Sequence, residues 1–503
     1  MMLRRLLVLP VLAFFLLTTS ACDDGFSEIN QDPKVANSLD PSLLFSNAVM
    51  QASGDRFEVW RAHVIYTEHF VQHLAANTQT FSGGDRYDFI PSWSSAQFAR
   101  EYPGALKTLS ETLRQLPSGP EAANKRAAAN VLRMFLLHRL TDLYGDVPFS
   151  EANKALDGIG APAYDPQEQI YPRLLDSLDT YAEQLDPSQP FFGDADLLFN
   201  GDVQKWQRWA NSIMLRAAMR MSKVDPAAAE QWVNEAVNNP GGVMQSNDDM
   251  AYIVQKDDNT GPVRNGIWEV YDFENADFLS DPFVSFLKER NDPRLRVFGE
   301  VRSTGSIDPA DQKGLPNGLD AGAQEGDLDS FTWPRRETVI RPDSPWILQT
   351  YAEVELLLAE AAVRGWTSGN AAAHYEAGVR AALTAPNIYE PPNPVTDAEA
   401  QSYLDENPFN TGGTQADKLR QINTQYWAAT FLNGPEAFAN WRRSGYPELE
   451  PVNHPDGDTG GTIPRRLTYP TDEQSTNADN WQAAIDRQGP DEFTTRVWWD
   501  VPQ

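Results

Sequence analysis

Three loop segments of this 503-residue chain combine aromatic rings with side chains that can bond hydroxyl groups. Phe81, Asp85, Arg86 and Tyr87 lie in the first, Asn265, Trp268, Tyr271 and Asp272 in the second, and Trp333 with Arg335 in the third. Sugar rings present apolar C–H faces that stack on indole and phenol rings, while their hydroxyls need partners that donate or accept. The set therefore points to carbohydrate binding, with Phe81, Asp85, Tyr87, Trp268, Tyr271 and Trp333 as candidate contacts. Peptide binding would draw on the same residue types. Any single ring is more readily explained as an anchor holding a long loop to the fold, but of the whole set at least two are expected to face ligand.

Catalytic and metal chemistries find less support. Asp142 and Asp146 are a carboxylate pair four residues apart, but a helix end followed by Gly145 and Pro148 makes a turn in which they bond backbone donors the better reading. His69 and His73 have the i, i+4 spacing that can reach one zinc ion, with His63 nearby. Glu68 precedes His69, whereas a metalloprotease helix has its glutamate after the first histidine. With no cysteine partner, packing histidines are expected and no metal is assigned. No Gly-x-Ser-x-Gly elbow, phosphate loop or cysteine pair occurs, so the chain is read as no enzyme, with no cofactor.

The elements that must hold these loops are helices. Helical patterning predicts helices over 122–143, 166–185, 203–221, 226–238, 347–364, 371–383 and 418–431, with Asp165 as N-cap and Pro166 at the first position of the second. The 347–364 segment is apolar on two stripes, so it must be packed on two sides. Placing Gly369 at the turn of a roughly 34-residue tetratricopeptide unit puts Ala362, Ala381 and Pro386 where that repeat wants them, although His374 replaces an expected alanine. The fold class is mainly α, a tetratricopeptide-like scaffold with long irregular loops at 77–93, 245–281 and 300–345. Their many aromatics mark them as ordered, and helices on both sides of each favour one interleaved domain over 43–503.

Charge and cysteine content narrow the setting. A formal net charge of −30 excludes a nucleic-acid partner, whose phosphates need Lys and Arg. Residues 1–21 read as a signal peptide: Arg4 and Arg5, an apolar run from Leu6 to Leu17, then Thr19-Ser20-Ala21. That run rises only about 18 Å as a helix, short of a hydrocarbon core of roughly 30 Å. The single cysteine, Cys22, follows at the lipidation position of a bacterial lipoprotein, where diacylglycerol and an N-linked chain such as palmitate would be attached. Residues 22–42 form the tether. Losing Arg4 and Arg5 takes the mature charge from −30 to −32.

Several motifs, in order, resemble the SusD/RagB family of outer-membrane nutrient-binding lipoproteins. They include Thr141-Asp142-Leu143-Tyr144-Gly145-Asp146-Val147-Pro148-Phe149, Tyr164-Asp165-Pro166, Gly201-Asp202-Val203-Gln204-Lys205-Trp206, and Asn291-Asp292-Pro293-Arg294. Tyr351-Ala352-Glu353, Trp441-Arg442-Arg443, Ile463-Pro464-Arg465-Arg466 and Arg496-Val497-Trp498-Trp499-Asp500 continue the series. The resemblance implies four tetratricopeptide-like helix pairs and a surface lipoprotein that acts as a lid over a SusC-type TonB-dependent transporter. It also implies oligosaccharide ligands, with peptides in some members, and Asp23 and Asp24 look like its surface-export signal. The alternatives are a peptide-binding member of the family and a tetratricopeptide-type scaffold whose groove holds a protein partner.

Overall fold

Long apolar-periodic segments fold as helices that pair in chain order. The computed structural model describes residues 39–502 except 77, 79, 80, 259–262, 274–276 and 321–326. Met1–Asp40 and Pro41–Gln503 separate as units; the expected signal peptide, Cys22 and most of the tether lie outside the described residues. Helix α1 spans Pro41–Ala52 and α2 Lys107–Gln115. They are followed by α3 (Ala123–Tyr144), α4 (Gln167–Gln184), α5 (Val203–Arg220), α6 (Pro226–Asn238) and α7 (Gly266–Phe273). The chain continues with α8 (Tyr351–Arg364), α9 (Ala371–Thr384), α10 (Gln415–Ala429) and α11 (Gly434–Ser444). Helices α3 and α4, α5 and α6, α8 and α9, and α10 and α11 pack as pairs, α8 also meets α5 and α10, and α11 returns to α3. These pairs make a tetratricopeptide-like helical scaffold.

Two helix starts differ from the sequence expectation. Asp165 does not cap α4; Pro166 occupies the N-cap, and the Asp165 carboxylate instead accepts from Phe149 N (3.1 Å) and Ser150 N (2.8 Å), closing the preceding turn. Ile347 and Leu348 are not helical. They belong to the strand Trp346–Gln349, and α8 begins only after Thr350, whose hydroxyl and Glu353 form a reciprocal capping box. Within the α8–α9 pair, His374 bonds Glu355 at 2.7 Å. The close crossing falls one turn later at Gly378, where an added Cβ would sit 2.8 Å from Leu356 Cγ.

Among the described residues, three antiparallel two-stranded ribbons tie down the loops. Strands β1 (Leu74–Ala76) and β3 (Asp277–Leu279) pair with Ala75 opposite Phe278; β2 (Ala251–Ile253) pairs with β6 (Trp346–Gln349), and β4 (Gly299–Val301) with β5 (Thr332–Pro334). Helix ends and loops are thereby linked across distances in sequence that no local signal marks.

A buried ion network crosses the scaffold. Arg220 on α5 lies 3.1 Å from Asp142 of α3 and 2.6 Å from Glu436 of α11, and Arg216 lies 2.5 Å from Glu353 of α8. Tyr426 of α10 donates its hydroxyl to Glu436 at 2.7 Å. The turn reading of the Asp142/Asp146 pair is corrected in one half. Asp146 accepts from Gln167 N at 2.8 Å, as a turn carboxylate should, whereas Asp142 belongs to this network and accepts from the Tyr171 hydroxyl.

Candidate functional site

The site forms where a π-helix meets three short helices and α7. Asp55 opens the turn Arg56–Glu58 by accepting from Phe57 N at 2.7 Å, and the chain runs on without a break into the π-helix Val59–Glu68. A ten-residue run of i→i+5 geometry is rare. Glycines let neighbours approach. At Gly84, in the helix Ser82–Asp85, an added Cβ would lie 1.5 Å from the Ile65 carbonyl oxygen; at Gly266, the first residue of α7, it would lie 2.9 Å from Val59. Helices Pro91–Ser94 and Ala96–Glu101 pack alongside.

This convergence gathers rings that remain open to solvent. Trp60 and Trp93 are half-buried with ring centroids 5.8 Å apart, Phe57 is half-buried, and Phe273 at the end of α7 is 65 % exposed. Trp268, half-buried, stands on the same helix as Phe273. Arginines stack on this surface: Arg56 over Phe273 (4.3 Å) and Trp60 (5.5 Å), Arg61 over Phe57 (4.0 Å) and Trp60 (4.4 Å), Arg100 over Phe57 (4.4 Å), and Arg264 over Trp268 (4.9 Å). The Trp60 indole N–H has no acceptor among the described residues. Beside the platform lies a cleft of about 350 Å³ lined by Asn47, Gln51, Asp55, Glu58, Arg100 and Gly104. Burial first, and then Asp55, push the Glu58 carboxyl up to about 8, so it is protonated at neutral pH. The arrangement offers flat apolar faces ringed by hydrogen-bond donors, and no nucleophile with an activating base.

Comparison with known proteins places this platform in context. The sequence family described as "starch-binding associating with outer membrane", a SusD-like family, matches residues 33–470. The chain belongs to the SusD-like family. Solved structures agree over the same extent. A chitin-binding protein is 32 % identical with a TM-score of 0.83, covering 92 % of this chain and 100 % of that one. A Bacteroidetes SusD-like protein is 30 % identical (TM-score 0.82, 92 % and 100 %), and a chitin-binding SusD homologue from Flavobacterium johnsoniae is 26 % identical (0.78, 92 % and 98 %). No curated protein sequence matches. SusD-like proteins are carbohydrate-binding proteins of the outer membrane rather than enzymes, and their helical pairs are the tetratricopeptide-like pairs described above. Among the described residues no helix is long and apolar enough to cross a membrane.

Within this SusD-like fold the residues singled out from the sequence separate sharply. Phe81, Asp85, Tyr87, Tyr271 and Trp333 are each at most 3 % exposed, which leaves no ring face or carboxylate open to a ligand; this corrects the expectation that they present to one. Asp85 accepts from Gly318 N (2.9 Å) and Asn317 Nδ2 (2.5 Å), clasping two loops, and burial raises its pKa. The Tyr87 hydroxyl accepts from Val452 N at 3.2 Å. Tyr271 and Trp333 pack edge to face at 5.4 Å, joining the second and third loops. Trp268 alone of the six keeps an accessible ring. Phe57, Trp60, Trp93 and Phe273 were not singled out as contacts. The run Arg56-Phe57-Glu58-Val59-Trp60-Arg61, two large rings each next to an arginine, carried the only sequence signal for this edge of the site.

The histidines are committed elsewhere. His69 Nε2 lies 3.2 Å from Asp277; burial opposes its charge, but the hydrogen bond and charge of Asp277 outweigh that and lift its pKa to about 9. His73 bonds Glu68 (2.8 Å) and the Trp427 carbonyl (3.0 Å). His63 bonds Gln97 at 2.8 Å and is driven down to about 3, chiefly by burial. A larger cavity of about 540 Å³ lies between Asp281–Glu289 and Asp397–Glu406, but its one lining aromatic among the described residues, Tyr403, is buried. A third, of about 390 Å³, has Trp498 as its only ring. Neither cavity gathers several rings as the Trp60 platform does.

Proposed function

We propose that this chain captures oligosaccharides at the cell surface on the platform of Trp60, Trp93, Trp268 and Phe273, and passes them to a SusC-type TonB-dependent transporter in the outer membrane. A lipid on Cys22 would hold it there, with the fold beginning near residue 43 facing the exterior. The observation that carries the reading is the cluster of half-buried tryptophans beside the exposed Phe273. Sugar binding asks for ring faces at a surface, and a fully packed core does not leave them. Two relatives named as chitin-binding support glycan as the ligand class and make chito-oligosaccharide the first ligand to try. Handing over cargo calls for modest affinity. Two or three stacked rings and several hydrogen bonds can supply about −8 kcal/mol, a Kd near the micromolar range.

A glycan and peptide array on the mature chain tests the capture half. Glycan binding that is weakened about tenfold in Trp60→Ala supports it. Binding of peptides alone, or glycan binding indifferent to Trp60 and Trp268, overturns it. For the delivery half, a tagged chain should bring a TonB-dependent barrel with it on purification from native outer membranes, and recovery of the chain free of any barrel would count against it.

A further inference from the structure

The aromatic platform and the cleft beside it differ in kind. The cleft, about 350 Å³, has no aromatic residue in its lining among the described residues, and presents Asn47 and Gln51 from α1 together with Asp55, Arg100 and Gly104. Asn47, Gln51, Asp55 and Arg100 are exposed, and Glu58, 6 % exposed, closes the floor. The walls meet at both ends: α1 packs on Tyr102–Leu106, and Arg56–Glu58 packs on Ala96–Glu101. The cleft is thus a pocket with ends and not a groove through which a chain could run. Its volume lies at the small end of the roughly 300–1,000 Å³ of small-molecule sites, which is room for the end of a glycan and not for its length. Arg100 joins the two regions, lining the cleft while its guanidinium stacks over Phe57 at 4.4 Å.

The lining suits hydroxyl groups. A hydroxyl both donates and accepts, and it is met by amides, which do both, by carboxylates, which accept, and by guanidiniums, which donate. Asn47 and Gln51 are of the first kind, Asp55 of the second and Arg100 of the third. Thr108 donates to Gln51 Oε1 at 2.8 Å, which fixes that amide. Glu58 holds its proton at neutral pH, chiefly through burial, so the floor is uncharged, and the charges of Asp55 and Arg100 offset one another. Such a pocket matches a neutral group rich in hydroxyls. In an oligosaccharide that group is the terminal sugar, because every internal residue has lost one more hydroxyl to a glycosidic bond. The rings lie outside the pocket, where the C–H faces of the residues that follow would stack.

We propose that this cleft is an end subsite, which takes the terminal sugar of an oligosaccharide while the residues after it lie on Phe57, Trp60 and Trp93. The protein is thereby a reader of glycan ends and not of stretches within a chain. The proposal rests on the glycan-capture reading above and names the substrate class of that site, short glycans with a free end.

Calorimetric titration of the mature full chain counts the proteins bound per glycan, with chitohexaose set against glycol chitin and maltohexaose against a long linear maltodextrin. One protein per glycan, for hexaose and polymer alike, is the expected result. A count that rises with polymer length means binding along the chain and overturns the proposal. Where the count is one, borohydride reduction of the hexaose, which opens its last ring, shows which end enters: lost binding assigns the reducing end and retained binding the other, and either supports the proposal. Asn47→Trp fills the cleft from an exposed position on α1 and should weaken hexaose binding about tenfold with the circular dichroism of the parent. If that variant does not fold, Gln51→Ala takes its place, with an expected loss of about threefold. Full affinity in the cleft variant, together with a loss in Trp60→Ala, overturns the end subsite and leaves glycan capture standing. Binding of neither hexaose overturns the end subsite, and an array on which no glycan binds overturns glycan capture with it.

Discussion

Trp60→Ala and Trp333→Ala remove the same indole from opposite surroundings. Trp333 is 2 % exposed and packed against Tyr271 and Arg336, so its loss should lower stability by about 3–5 kcal/mol in urea unfolding. Trp60, half-buried and packed on Trp93, should lose less stability than Trp333 and about 1.4 kcal/mol of glycan affinity. If the two variants gave the same stability loss, Trp60 would be core and the platform reading would fail. Glu58 makes a separate prediction. The folded chain holds a proton there up to about pH 8 that the unfolded chain releases near 4.5, so this group's contribution is intact below pH 4.5 and declines by at most about 1.4 kcal/mol per pH unit up to pH 8. Glu58→Gln should match the parent Tm near pH 4.5 and exceed it increasingly toward pH 8. A Tm difference that stays flat across that range would show that Glu58 is ionised throughout. Residue type in the sequence marked loops rich in rings but could not distinguish an anchoring ring from an open one, because that depends on which loop lies above it. The same blindness kept Trp60 out of the candidate set: it stands in an apolar, helix-like stretch where a buried ring is the ordinary expectation.

At the scale of elements, the helical pairs were legible and their junctions were not. The stretches from 122 to 143 and from 203 to 221 declare themselves because burial on a helix face repeats every three to four residues. The boundary at Thr350 was missed because strand β6 runs straight into α8 and its residues Ile347 and Leu348 continue the two apolar stripes of the helix by accident. The π-helix left no mark either, since its wider winding follows from what packs on it and not from a residue preference. Gly84 is one such cause. With a Cβ predicted 1.5 Å from the Ile65 carbonyl, Gly84→Ala must push Ser82–Asp85 away from the π-helix, at a cost of about 1–3 kcal/mol. Because Trp93 follows this segment and Trp60 precedes Ile65 on the π-helix, glycan affinity should fall together with Tm. A variant with lowered Tm and full affinity would mean that the two sides of the platform are positioned independently.

For the whole molecule, the stacked pairs are locked to one another by charge as well as by apolar packing. Arg220 is fully buried, and the oxygens it holds belong to Asp142 on α3 and Glu436 on α11, at opposite ends of the scaffold in sequence. Burial alone would raise the Glu436 pKa, but Arg216 and Arg220 hold it below the usual carboxylate range, so the group is an ion kept in the interior by its partners. Arg220→Met fills a similar volume while leaving Glu436 with Arg216 as its arginine partner, at 3.3 Å, and taking the arginine from Asp142, and should cost about 3–5 kcal/mol, read as a shift of the urea midpoint. Adding Glu436→Gln removes the under-compensated ion, so the double variant should recover part of the loss. If it is instead worse than the single variant, the pair is not coupled and apolar packing alone sets the register of α5 against α11. The exposed Arg114–Glu111 pair on α2 provides the contrast: Arg114→Met should leave the midpoint unchanged, because water already solvates both partners. The difference between these two substitutions measures how far the scaffold beneath the aromatic platform depends on ions held away from solvent.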